Sequence, residues 1–264
     1  LIDLCLIEIN KLNLKIDRKR YKIKYSDIYY LNFILFMLRD INSWFFIYKL
    51  KDYNSNFKYH YKTIYNKFLY WSKKDVFKNA FYNFYFKSNT NLLLIDATSI
   101  NNKYCSESIV INPEYKIKFI TKLSIISNEF NFIHSVEVFD LKTKNENYNT
   151  YVHDVKMIKK SLEKIKINNN SNYFYLLGDK AYKTKETFKL NNKIVKIVTP
   201  DKSNTKNKNS NYIIKKLKKR IKVENVINKI KLFERIKTRK DRNKNTYLIW
   251  VYISSLINNL NVNN

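Results

Sequence analysis

The 264-residue chain has one glycine, two prolines and two cysteines, and its 51 Lys and Arg face only 22 Asp and Glu. Scarce glycine means that turns must be made by Asn or by strained residues. Cys5 and Cys105 are too few and too far apart for a disulfide framework or a zinc site, which fits a reducing compartment. Long apolar runs are also missing. Tyr29 to Leu50 is interrupted by Arg39, Asp40 and Lys49, and Tyr247 to Ile257 is too short to span a bilayer. Both runs read as core helices, no signal peptide is legible at the amino end, and a soluble, intracellular protein is expected.

What is present is apolar and basic. Hydrophobic residues make up 45% and aromatic residues 16%, so the chain folds around a sizeable core and is not a disordered basic tail. A formal charge of +29 points to a polyanionic partner, nucleic acid first and an acidic membrane second. The abundance of Lys, Asn, Ile, Tyr and Phe, with little Gly, Pro or Ala, follows AT-rich codons, which discounts part of the lysine count. Arginine is harder to explain that way. Four of the seven (Arg220, Arg235, Arg239, Arg242) fall within 23 residues, and Arg makes bidentate phosphate contacts that Lys cannot copy.

Residues 1–90 read as mainly helical. Ser26-Asp27 offers a helix start before Ile28, Leu31, Ile34, Leu35 and Leu38, and Trp44 to Ile47 closes that hairpin. Tyr61 to Phe86 carries one or two further helices. This lysine-rich unit is either a helix-turn-helix-like DNA binder or a helical packing domain. Ser88 to Asn91 is the expected boundary, giving an amino-terminal helical domain (1–90) and a second domain (91–264). The second domain predicts strands over 92–96, 116–126, 130–139, 173–177 and 194–198. Helices are expected from His153-Asp154 through Ile165, over 183–190, around 213–231 and over 246–260. Three hairpin-linked strands followed by alternating helices and strands make a mixed α/β sheet flanked by helices.

Most carboxylates lie in polar runs where solvation explains them. Asp96 and Asp179 each follow a buried strand (LLLI and YFYLLG), at the edge where ligands gather in open α/β sheets. Such an Asp is nonetheless more often a turn former. Asp140 fits the same description, and Asp154 is most simply an N-cap. Glu224 lies on the helix around 213–231, where Arg220, Glu224, Ile227 and Lys231 share a face. By itself that trio of charges reads as a surface ion-pair ladder. Position alone leaves both readings open.

The three acidic stretches together resemble a known family. Asp96-Ala97-Thr98-Ser99-Ile100, Gly178-Asp179-Lys180-Ala181-Tyr182 and the 220–231 helix are similar to the acidic motifs of the DDE transposases of bacterial insertion sequences, families four and five. The signature Tyr-x2-Arg-x3-Glu-x6-Lys is matched at Arg220, Glu224 and Lys231, with Leu217 at the tyrosine position and Ala181 where the second motif has glycine. The resemblance covers about residues 91–260. It implies an RNase H-like fold and a metal-dependent nuclease and strand transferase acting on double-stranded DNA, the transposon ends and the target, as a homo-oligomer. Asp96, Asp179 and Glu224 would be the catalytic ligands of two Mg²⁺ or Mn²⁺ ions. Arg220 and Lys231 would hold phosphates beside them, and Arg235, Lys237 and Arg239 would extend the DNA track. A DNA-associated setting follows, in a bacterial cytoplasm or, in another host, a nucleus or virus. The alternative is a non-catalytic, transposase-derived DNA-binding protein, whose mark would be the loss of an acid.

Overall fold

The computed structural model describes residues 1–13, 26–39, 44, 61–84, 90–102, 110–111, 119–139, 155–165, 167, 172–201 and 208–263. Expectations resting on Phe45 to Ile47, Ser88, Asn89, Cys105, Asp140, His153 and Asp154 lie outside these residues.

The central strand is β1 (Leu92–Asn102), which starts as the expected apolar run but continues through Asp96 to Asn102. One edge pairs antiparallel with β3 (Phe119–Asn128), which in turn carries β4 (Ile133–Val138) and the short β2 (Val110–Ile111). The other edge is shared. Leu92 to Leu94 pair in parallel with β5 (Tyr173–Leu177), whereas Asn101 and Asn102 pair with β8 (Thr238–Arg239). Between those two partners no strand among the described residues pairs with this edge of β1, and Asp96 stands in the gap. Beyond β5 the sheet continues through β7 (Lys193–Val198), parallel, and β6 (Phe188–Leu190), antiparallel. The mixed pairing agrees with the order of elements along the sequence.

Alternation along the strands feeds two cores. Leu92, Leu94, Ile100, Leu123 and Ile125 face one, and Leu93, Ile95, Ile126, Phe174 and Leu176 face the other. The second core is covered by α5 (Val155–Leu162) through Ile158 and Leu162. The first is covered by α7 (Ile221–Ile230) and α9 (Lys244–Asn263), joined through the single-turn α8 (Glu234–Lys237), and it runs without a break into the amino-terminal helices. These are α1 (Ile2–Asn13), α2 (Asp27–Arg39), α3 (Tyr61–Lys73) and α4 (Val76–Asn83). Phe68 of α3 stacks on Trp250 of α9 at 4.5 Å, and Trp44 lies 5.9 Å from the same indole. Buried Asn259 ties α9 to β4, its side-chain carbonyl accepting from Ile133 N (2.7 Å) and its amide donating to Ile133 O (2.9 Å). No helix among the described residues is long and apolar enough to cross a membrane.

Two expectations change. The helix expected over 183–190 is instead a loop leading into β6. Phe188 and Leu190 are its buried apolar pair, spaced at the strand period of two. Asn191 and Asn192, both at positive φ (49° and 63°), make the two-residue turn into β7. The helix around 213–231 is broken into α6 (Asn211–Leu217), a 3-10 turn at Lys218–Arg220, and α7. The tighter turn brings Val223, Val226, Ile227 and Ile230 onto the buried face while Ile214 and Ile221 stay exposed. Among the described residues, positive φ falls on Asp75, Asn131, Asn191 and Asn192, so Asn and Asp do serve where glycine is absent.

Candidate active site

Strand register brings the first two acids together. Leu94 is opposite Leu177 in the parallel β1–β5 pair, so one further pleat on each strand reaches Asp96 and Asp179. Parity puts both on the α7 side of the sheet, with Leu94 and Leu177. Each carboxylate is oriented by a local backbone donor: Asp96 Oδ1 accepts from Ala97 N, and Asp179 Oδ1 accepts from Ala181 N, both at 2.8 Å. The second bond caps a 3-10 turn at Lys180–Tyr182. That turn depends on the chain's only glycine. A Cβ on Gly178 would lie 2.7 Å from Tyr182 Cδ2, 2.8 Å from Cγ and 2.9 Å from Cβ, and the Tyr182 ring is fully buried.

The third acid comes from α7, whose buried face crosses β1 and β3. Glu224 is half-exposed, and its Oε1 lies 3.6 Å from Arg220 Nη2. At the far end of α7, Lys231 Nζ donates to Thr98 Oγ1 and, at 3.5 Å, to Ser99 O. The electrostatics report the convergence. Burial pushes the Asp96 carboxyl up to about 6; the Ala97 amide and Arg220 pull it down, while Asp179 and Glu224 push it further up. Lys231 is held below the ordinary lysine value by burial, against the attraction of Asp96. Arg220, Asp179, Glu224 and Lys231, which sequence reasoning placed around one centre, therefore all interact with Asp96. Leu217, at the signature's tyrosine position, packs half-buried against the main core.

Oxygen-only donors, and a carboxyl whose ionisation is opposed by burial and like charge, suit a hard divalent cation. Among the described residues, no three acidic, His or Cys side chains already surround one point. Glu224 is half-exposed, and its surface ion pair with Arg220 is worth at most about 1 kcal/mol.

The basic residues divide. Lys237 is exposed, pairs with Glu234 at 3.3 Å, and helps line an open cavity of about 450 Å³ with Ser99, Asn101, Asn228 and Lys231. Arg235 and Arg239 do not extend that track. Arg235 is buried, with Nη2 3.2 Å from Asp241 Oδ1 and its guanidinium 4.6 Å from the Trp250 ring. Arg239 is fully buried, donating to Thr121 Oγ1 (3.0 Å), Asp241 O (3.1 Å) and Arg242 O (3.2 Å). Both guanidinium groups are buried inside the fold, where a phosphate cannot reach them. Sequence reasoning missed Thr98 and Asn228. The signal for Thr98 was its place two residues beyond Asp96, on the same strand face.

No model of a known protein family matches the chain, and no curated protein matches it. Among solved structures it is similar to a piggyBac transposase, determined by cryo-EM as a synaptic complex with hairpin DNA. The TM-score is 0.50 and the sequence identity 11%, over 99% of this chain and 63% of that one. The chain thus spans less than two thirds of that transposase's length. At this identity the likeness is one of fold, and it establishes that the mixed sheet and its flanking helices have a transposase-like architecture.

Proposed function

We propose that this chain is a DDE transposase of the insertion-sequence type, with an RNase H-like domain that cleaves DNA at transposon ends and joins the freed 3′-hydroxyl to target DNA. The observation that supports the reading is Asp96 itself: Asp179 lies one pleat beyond Leu177, the strand partner of Leu94, and burial and the charges of Asp179 and Glu224 raise the Asp96 carboxyl. In this reading the three acids hold two Mg²⁺ or Mn²⁺ ions. When bound, such ions supply an activated water and neutralise charge at the scissile phosphate.

The chain's own groups do the rest. As Glu224 turns inward, Arg220 loses its partner and its guanidinium becomes available to a phosphate oxygen. Lys231, fixed by Thr98 and Ser99, presents a positive charge beside Asp96 from the opposite end of α7. Lys237 extends that charge along the cavity. Loss of these contacts would weaken binding and flatten its salt dependence. Asp179 is positioned by the 3-10 turn, so its direction is set before substrate arrives. Action on two DNA ends calls for a homo-oligomer. The test is nicking of DNA bearing the element's ends, in Mg²⁺ or Mn²⁺. Asp179→Asn should abolish it while leaving the circular dichroism spectrum unchanged. Wild-type protein that nicks no such DNA in either metal would sink the enzyme reading.

A further inference from the structure

The sheet face that carries Asp179 continues away from the acids as a row of tyrosines and lysines. Tyr173, Tyr175, Leu177 and Asp179 are alternate residues along one face of β5 and its continuation, with Leu177 buried between the tyrosines and the acid, opposite in parity to the buried Phe174 and Leu176. Beside them on β7, Ile194 and Lys196 pair with Tyr173 and Tyr175. Instead of being sealed by a hydrophobic helix face, this end of the sheet meets α6, which brings Tyr212 and Lys216. Tyr212 is 63% exposed and Ile194 49% exposed.

Each ring is matched with an ammonium. Lys216 Nζ lies 3.6 Å from the Tyr175 ring centroid and 4.5 Å from that of Tyr212, while Lys196 Nζ lies 4.2 Å from that of Tyr173. Tyr173 and Tyr175 meet edge-to-face at 5.2 Å. The segment from Asn211 to Arg220 contains four lysines and one arginine and no acid. One exposed ring, Tyr212, and two half-buried ones, Tyr173 and Tyr175, interleaved with cations, supply the two components of a sequence-tolerant site for unpaired nucleic acid: bases stack on the rings and phosphates take the ammonium groups.

We infer that the β5–β7–α6 face is a binding platform for single-stranded nucleic acid, leading away from the acidic centre along β5. The spacing suits this. Tyr175 and Asp179 are four residues apart, or about 13 Å of strand, so a strand passing the acids meets the rings within a few nucleotides. The energetics suit it as well. An exposed cation–π contact is worth about 0.5–1 kcal/mol, whereas stacking one base on an aromatic ring contributes about 1–3 kcal/mol. A base can therefore displace Lys216 or Lys196 from its ring, and the displaced ammonium remains beside the strand to pair with phosphate. A membrane surface fits less well, because the rings are split by lysines and form no continuous apolar stripe.

The platform stands on its own residues and its test needs no metal, so its fate is separate from that of the cleavage reading. Fluorescence anisotropy in EDTA would compare a 20-nucleotide oligo-dT, a 20-nucleotide oligo-U and a 20-base-pair duplex. Tyr173→Ala combined with Tyr212→Ala should weaken binding of the single strands by about tenfold or more, with the duplex changed less than twofold. Lys216→Gln should weaken the single strands and lower the salt dependence of their binding. The tighter of the dT and U strands identifies the natural ligand. Unchanged single-strand affinity in the tyrosine double variant would overturn the inference. So would an equal loss for the duplex, which would make the surface a general basic patch. Because Tyr212 is mostly exposed, Tyr212→Ala alone, checked by its melting curve, decides the question in the same way if the double variant is unstable.

Discussion

Replacing Gly178 by alanine tests how the second acid is positioned. The added methyl would meet three atoms of Tyr182 at 2.7–2.9 Å, well inside carbon–carbon contact. Tyr182 is fully buried, so its ring cannot swing into solvent, and the backbone at Gly178 is held by a 3.1 Å bond from its N–H to Val198 O. Overpacking of this kind costs about 1–3 kcal/mol. The upper end applies here because neither side can yield, which corresponds to a fall in Tm of roughly 6–12 °C for a domain of this size. Urea denaturation of Gly178→Ala, Tyr182→Ala and the double variant separates the cause. With the ring removed, the contacts at 2.7 and 2.8 Å go and only that with the residue-182 Cβ at 2.9 Å remains, so the alanine penalty should shrink, the difference being the coupling energy to the ring. An alanine penalty of equal size in both backgrounds would show that the clash with the Tyr182 ring is not what requires glycine. A Gly178→Ala protein as stable as wild type would refute the packing argument altogether.

Three further outcomes are expected. Asp96 has a folded-state pKa of about 6, above the value near 4 of an unfolded chain. Between those pH values the folded state retains a proton that the unfolded state has lost, so stability falls as pH rises. In EDTA, Asp96→Asn should therefore be more stable than wild type above pH 6, by up to about 3 kcal/mol, and equal to it below about pH 4. His134 works in the opposite sense: burial lowers it to about 4, so stability is lost as pH falls from about 6.5 towards 4. Melts of His134→Leu across that range should show a smaller acid-side loss. Arg235→Met should destabilise by about 3–5 kcal/mol because it removes the buried guanidinium that balances the Asp241 charge. Restoration by the added change Asp241→Asn, read by urea denaturation, would confirm that the charge is the cause.

Much of the sheet was legible because buried strands in this chain are plain apolar runs. Leu92 to Ile95, Tyr173 to Leu177 and Ile194 to Val198 were each expected, and each lies within a strand. The helix expected over 183–190 failed for a local reason. Two adjacent asparagines hold left-handed conformations there, and in a chain nearly without glycine Asn-Asn is the turn signal that Asn-Gly would be elsewhere. Joining the amino-terminal helices to the sheet through one core could not be read from sequence, because Phe68 and Trp250 are 182 residues apart and only tertiary packing brings them together.

The arginines show where sequence reasoning about charge goes astray. Scarce Arg in a lysine-rich chain was expected to mark phosphate contacts, since only Arg offers a planar, bidentate fork. The fork is indeed what is used, but at Arg235 and Arg239 it binds the protein itself. Arg239 bridges Thr121 of β3 to the backbone beyond β8, and Arg235 joins Asp241 to the Trp250 ring. A lysine could take one of these contacts at a time, not the set, so burial would leave polar groups unmet. Both arginines thus hold β8 and the start of α9 against the sheet. Since β8 pairs with β1 just beyond Thr98, they also fix one side of the gap where Asp96 stands. Their influence on the acids runs through the strand, whereas Arg220, which pairs with an exposed acid one turn along the chain, acts on Asp96 directly. Arginine spacing in sequence did not distinguish these roles; burial does.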